Sequence, residues 1–197
     1  MHIAASKFGS IAHALVPRHP AQGIAAGFGL GILIGTMVLM LPIAKTGPGG
    51  ANFLEALFTA TSAVCVTGLA VVDTAVYWTP FGQVVILVLI QLGGFGIMSF
   101  AALLGVLMAR RLGLKSRIQA AAETKSTGFG DVRSVLFGIL RITLSVELAV
   151  AAALALRFGL GYGHSPGHAV WLGVFHSVSA FNNAGFALFS DNLMGFV

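Results

Sequence analysis

Two passages carry the chemistry that the rest of the chain must accommodate: Ser62-Ala63-Val64-Cys65-Val66-Thr67-Gly68-Leu69 and Ser179-Ala180-Phe181-Asn182-Asn183-Ala184-Gly185-Phe186. Each closes a short apolar stretch and holds one glycine. Neither contains a carboxylate, and Asp73 and Asp191 come only five and six residues after the glycines. A divalent cation would call for Asp or Glu ligands, whereas rings of backbone carbonyls suit a monovalent cation that has shed its water. Glycine is the residue that lets a turn aim successive carbonyls inward. Pairing Ser62 with Ser179 without a gap also pairs Phe58 with Phe175, Ala63 with Ala180, Gly68 with Gly185 and Ala70 with Ala187. That is the pattern of a duplicated unit.

Other residues give narrower signals. Glu147 stands inside an apolar stretch, where an acid is costly enough that function is the default reading. Three readings stay open for it: contact with a transported cation, pairing with Arg141, or a structural polar contact. Arg141 itself is expected to snorkel to the cytoplasmic surface. His164 and His168 are four residues apart, but Pro166 and Gly167 between them argue against a ligand-bearing helix and for a solvated loop. His176 is expected to hold nearby backbone rather than a metal. Cys65 is the single cysteine, which excludes an intrachain disulfide and a CxxC site. Gly23, Gly27, Gly31 and Gly35 form a small-residue stripe that suits either a dimer seam or packing within one subunit. Gly93-Gly94-Phe95-Gly96 lies in an apolar span without the strand and helix of a phosphate loop, so close packing explains it better. No Ser-His-Asp or paired-carboxylate arrangement points to an enzyme.

The elements that must position the turns follow from hydropathy. With 57% hydrophobic and 9% charged residues and a mean hydropathy of +0.94, the chain reads as a polytopic membrane protein. Apolar stretches near 22–42, 81–109 and 134–156 are long enough to cross about 30 Å of hydrocarbon. Two more, near 53–63 and 169–181, are too short and suit re-entrant helices. The segment before Gln22 lacks the pattern of a cleaved leader, so the first span is expected to be retained. A net charge of +5 could attract nucleic acid or anionic lipid, yet seven of the eleven Lys and Arg residues fall between positions 110 and 141. That clustering reads as topology rather than as a nucleic-acid site: the N-terminus and the 110–133 loop are cytoplasmic, and both turns lie outside.

At these residues the sequence resembles the Ktr/Trk superfamily of potassium transporters. Cys65-Val66-Thr67-Gly68-Leu69 and Asn182-Asn183-Ala184-Gly185-Phe186 are similar to its first two filter loops, and Gln91-Leu92-Gly93-Gly94-Phe95-Gly96 to the helix after the first. The resemblance implies an all-α membrane fold of four tandem repeats, each a span, a re-entrant pore helix with its loop, and a second span. About one and a half repeats would lie here: a cytoplasmic segment 1–21, a first repeat 22–109, a basic loop 110–133, and a second repeat 134–197 without its last helix. Two whole repeats, and the gating loop of the third, would be missing from these residues. Val66, Thr67, Gly68, Asn183, Ala184 and Gly185 would then line a potassium filter, with Cys65, Asn182 and Glu147 in support. One glycine per loop implies looser selectivity, with sodium the intruder. The short lead favours the Ktr type, with potassium and possibly sodium as substrate, no bound cofactor, and a homodimer on a cytosolic nucleotide-binding ring in the cell membrane. The alternative is a secondary transporter with broken helices around a midplane site.

Overall fold

The computed structural model describes residues 20–111, 132–192 and 194–196. Among them are six helices, α1 (Pro20–Leu39), α2 (Phe53–Val64), α3 (Thr74–Tyr77), α4 (Pro80–Arg111), α5 (Val132–Gly161) and α6 (Pro166–Phe181), then a 3₁₀ turn at Met194–Phe196. The basic loop expected over 110–133 falls almost wholly outside the described residues.

Three helices contain windows fit to cross a bilayer: Gln22–Leu39, Pro80–Ala102 and Ser134–Gly161, with mean hydropathies of 1.7, 2.3 and 2.0. Their outward faces are apolar, as at Leu30, Met37, Leu92, Ile142 and Leu148, which is the surface that lipid requires. The chain is a multi-pass membrane protein. With 12 and 16 residues, α2 and α6 reach only about 18 and 24 Å, short of the roughly 30 Å of a hydrocarbon core. Local chemistry sets the boundaries. Helix α1 stops short of Pro42, because the residue before a proline is pushed out of helical geometry. Helix α2 starts at the cap Asn52, whose N–H donates to the Glu55 carboxylate three residues on. Helix α6 starts a few residues earlier than hydropathy alone predicts, because Ser165 holds extended backbone at its N-cap position and Pro166 fills its first position.

Packing brings α2 against α1 and α4, and α6 against α5 and α4. Leu39, Trp78, Ile86, Ile90, Leu172 and Phe175 are fully buried between them. Small residues allow the close approaches. A Cβ on Gly35 would sit 2.6 Å from Leu89 Cδ1, and one on Gly173 would sit 2.6 Å from the Ala151 carbonyl oxygen. The glycine stripe of α1 therefore divides: Gly31 and Gly35 face α2 and α4, while a Cβ on Gly27 would meet nothing within 4 Å. For Gly31 and Gly35, packing within the subunit is the correct reading.

The loops on the turn side are pinned to one another. Thr46 N–H donates to Tyr77 O at 2.9 Å and Thr79 N–H to Ala44 O at 3.0 Å, closing a bridge between Lys45 and Trp78. Trp171 Nε1 of α6 donates to Gln83 Oε1 of α4 at 2.9 Å, and Gln83 Nε2 donates to Trp78 O at 3.2 Å. The segment leaving the first turn is tied back to the start of α2 by the Tyr77 hydroxyl, which donates to Glu55.

That last bond has a pH signature. The Tyr77 hydroxyl, followed by the Asn52 amide, holds the Glu55 carboxyl below the ordinary carboxylate range. Burial, followed by the Glu55 carboxylate, pushes the Tyr77 phenol up to about 12. Glu55 is depressed, so its contribution is complete above the ordinary value of 4.5 and is lost as pH falls through its lower folded value. Tyr77 is raised, so its contribution is complete below 10 and is lost as pH rises through about 12. Tyr77→Phe should lower the melting temperature in detergent at pH 7, and the gap from the parent should shrink in acid once Glu55 is protonated. A gap independent of pH between 7 and 3 would show that the bond contributes nothing.

Candidate functional site

The two turns have the same backbone conformation, residue for residue. Cys65 and Asn182 cap their helices with φ near −84° and −79° and ψ near 2° and 1°. Next come Val66 and Asn183 with positive φ of 47° and 57°, and, two residues further on, Gly68 and Gly185 with 72° and 75°. Thr67 and Ala184 between them have negative φ. The hydrogen bonds match as well. Val66 N–H donates to Ala63 O and Thr67 N–H to Ser62 O at 3.2 and 2.9 Å, and Asn183 N–H donates to Ala180 O and Ala184 N–H to Ser179 O at 3.0 and 2.7 Å. A left-handed β-branched residue such as Val66 costs energy, and such strain persists only where the surroundings over-determine it.

The turns also meet. A Cβ on Gly68 would sit 2.5 Å from the Ala184 carbonyl oxygen and 3.0 Å from Gly185 Cα, and one on Gly185 would sit 3.3 Å from Gly68 Cα. Both glycines are thus fixed twice, by conformation and by the other turn. Beside this contact lies a cavity of about 290 Å³ lined by Gly68, Val72, Asp73, Gly185, Phe186 and Asn192 among others.

Helix α4 is the seat for both. A Cβ on Gly93 would sit 2.0 Å from the carbonyl oxygen of Val64, the last residue of α2. A Cβ on the adjacent Gly94 would sit 1.8 Å from Asn182 Oδ1, at the cap of α6. The sequence signalled close packing at this pair of glycines, and its partners are the ends of the two short helices rather than the side of another span.

Side chains fasten each turn differently. In the first, Thr67 Oγ1 donates to Ser62 Oγ at 2.9 Å. In the second, Ser179 Oγ donates to the Phe186 carbonyl at 2.7 Å. Leu188 N–H donates to His176 Nε2 at 3.2 Å, so that nitrogen is unprotonated and Nδ1 carries the proton it shares with Leu172 O at 2.8 Å. Both ring nitrogens of His176 are spent on backbone, in the role the sequence suggested. Glu147 is buried and takes a hydrogen bond from Asn182 Nδ2 at 3.1 Å, not an ion pair from Arg141, which is exposed six residues earlier on the same helix. The pairing with Arg141 is therefore replaced by a polar contact inside the bundle. Ser177 Oγ donates to the Glu147 backbone carbonyl at 2.7 Å, fixing α6 to α5 at the same level. Cys65 is half-buried as a free thiol. His164 precedes α6 and His168 lies in its first turn, and no group of three or more His, Cys, Asp or Glu able to hold a metal ion occurs among the described residues.

Sequence reasoning named Gln91 only within the glycine motif and gave it no role, whereas its Oε1 lies 3.2 Å from Asn182 Nδ2; nor did it find the Gln83 to Trp171 bond. A polar residue inside an apolar span was the available signal for Gln91. It also passed over the Ser62 and Ser179 hydroxyls, although their matched positions were visible.

A family model described as TrkH, cation transport protein, matches residues 18–197. The chain is 45% identical over 178 residues to the Ktr system potassium uptake protein B of Bacillus subtilis, covering 90% of this chain and 39% of that protein. It is 37% identical over 175 residues to the potassium/sodium uptake protein NtpJ of Enterococcus hirae, covering 89% and 38%. It is 38% identical over 169 residues to the Ktr system potassium uptake protein B of Vibrio alginolyticus, covering 85% and 36%. The chain spans about two fifths of the length of these relatives.

The glycine seat can be tested by crowding it. Gly93→Ala presses on backbone that cannot swing away and should cost about 2 kcal/mol, within the range for overpacking. Gly94→Ala presses on the Asn182 side chain, so its cost should fall when combined with Asn182→Ala, whereas that of Gly93→Ala should not. Unfolding of the three single and two double variants in detergent, arranged as double-mutant cycles, measures both couplings. Equal coupling of Asn182→Ala to both glycines would contradict the division of the seat.

Proposed function

We propose that this chain, which belongs to the TrkH family of cation transport proteins, passes potassium across the membrane through a filter that its two turns help to line. The family consists of transporters, not enzymes. The observation that carries the reading is the contact between two turns of identical backbone conformation, each at the membrane-depth end of a half-length helix. Alternation of left-handed and ordinary backbone at Val66, Thr67 and Gly68, and at Asn183, Ala184 and Gly185, is a geometry that can bring successive carbonyls to one side. The carbonyls of these six residues are the ion ligands in this proposal. Cys65 and Asn182 cap the helices beneath them, and Glu147 supports the second turn.

The spans and half-helices group into a first unit over 22–109 and the opening of a second over 134–197, two of the four quarters of a complete filter. The segment 1–21 and the loop 110–133 lie on the cytoplasmic side by their positive charge. A single left-handed glycine per turn leaves the ring less constrained than a filter with two, and sodium is then a competing substrate. The relative named as a potassium/sodium uptake protein is in keeping with that. Two copies on a cytosolic nucleotide-binding ring complete the proposed assembly, with the basic loop facing the ring.

Gly68→Ser tests the filter in the complete protein. The new Cβ falls 2.5 Å from the Ala184 carbonyl at a backbone φ of +72°, so it disturbs both turns where they meet. Potassium uptake by cells lacking their own potassium systems should lose its preference over sodium, with protein abundance little changed. Parental affinities for both ions would remove the filter assignment. For the assembly, neutralising Arg110, Arg111, Lys115 and Arg117 together should weaken copurification with the ring protein, and unchanged recovery would leave these charges as a topology signal alone.

A further inference from the structure

The second turn is anchored through its cap residue in a way the first is not. Asn182 is 6% exposed, and its Nδ2 lies 3.1 Å from Glu147 Oε1 on α5, 3.2 Å from Gln91 Oε1 on α4 and 2.9 Å from Val178 O on its own helix. An amide nitrogen has two protons, so three oxygens share two donors. One of them belongs to a carboxylate that is 5% exposed and has no basic partner among the described residues. A polar group buried in the membrane interior is costly unless it is hydrogen-bonded, and the Asn182 amide satisfies one oxygen of the Glu147 carboxyl. The other end of the Asn182 amide is pressed against Gly94, where not even a methyl group would fit. The side chain is thus held by α4, α5 and α6 at once, immediately before the left-handed Asn183.

At the matched position of the first turn stands Cys65, whose thiol cannot reproduce a carboxylate-to-amide bond. The first turn relies instead on the hydroxyl contact between Thr67 and Ser62.

We propose that Glu147 and Gln91 are positioning residues for ion selectivity: through the Asn182 amide they fix the backbone of the second turn, making it the stiffer of the two. Glu147 acts as an acceptor in a clamp and not as a charge that attracts ions. The inference rests on the filter reading above. Discrimination by a carbonyl ring depends on holding its geometry against the smaller ion, so loosening the clamp lowers selectivity before it lowers uptake.

The test uses the full-length protein in cells without their own potassium uptake, comparing KM for potassium and sodium and membrane abundance for Glu147→Gln, Glu147→Leu, Gln91→Leu and Gly68→Ser. Glu147→Leu is expected to reduce the ratio of sodium to potassium KM about tenfold, equivalent to about 1.4 kcal/mol of discrimination. Glu147→Gln still presents Oε1 to Asn182 and should recover most of that ratio. Gln91→Leu, which leaves the bond to Glu147 in place, is expected to lose about threefold, or about 0.65 kcal/mol. Should Glu147→Leu fail to accumulate, Gln91→Leu decides, and a parental ratio there overturns the clamp. Glu147→Gln impaired as severely as Glu147→Leu also overturns it, because charge would then be the operative property. A parental ratio in Gly68→Ser rejects the filter itself, whereas a shift there with parental Glu147→Leu and Gln91→Leu rejects only the clamp.

Discussion

The structure depends on how a helix can end in a medium without water. An unpaired amide or carbonyl in hydrocarbon costs several kcal/mol, and α2 and α6 both stop too short to reach the far side. Their ends are satisfied locally by bonds folding back on Ser62 and Ala63, and on Ser179 and Ala180. They are shielded by the adjacent Gly93 and Gly94 of α4, one serving each end. Two consecutive glycines in a spanning helix would otherwise only weaken it, since each costs about 1 kcal/mol relative to alanine. Here they allow one helix to touch two turns, and the contact of Gly68 with Ala184 and Gly185 follows from that shared seat.

Matched backbones do not imply matched support. Val66 holds a left-handed conformation that a β-branched residue resists, at roughly 1–3 kcal/mol, with a threonine-to-serine hydroxyl bond beside it. Asn183 adopts the same conformation more easily, because a short polar side chain tolerates it. Yet it is the second turn that receives the buried carboxylate, the histidine bonded at both nitrogens and the serine bonded to Phe186. Strain is concentrated in one turn and fastening in the other. Turns with unequal side-chain support can therefore keep one backbone geometry.

The loops between the spans serve the same end by other means. Bonds from Thr46, Thr79 and Gln83 collect the connecting segments around Trp78, and Trp171 joins α6 to that cluster. Motion of one turn relative to the other would have to disturb this cluster as well as the glycine seat, so both turns rest on one continuous body of packed residues.

Much of this was legible in the chain itself. Hydropathy and length identified three crossing helices and two that cannot cross, because the thickness of hydrocarbon is a fixed ruler. The caps at Asn52 and Ser165 and the stop before Pro42 are short-range effects, written in adjacent residues. The matched glycines of the two turns were visible for the same reason, since the conformation they allow is a property of the residue. What only the tertiary structure decided is which groups meet. Glu147 had three open readings in sequence, and the packing of α5 against α6 put Asn182, not Arg141, within hydrogen-bond reach. Gln91 gained a role because α4 passes behind the second turn as well as the first. Hydropathy and capping act within a few residues along the chain, whereas a hydrogen bond between residues 35 or 91 positions apart depends on helix crossings that packing alone fixes.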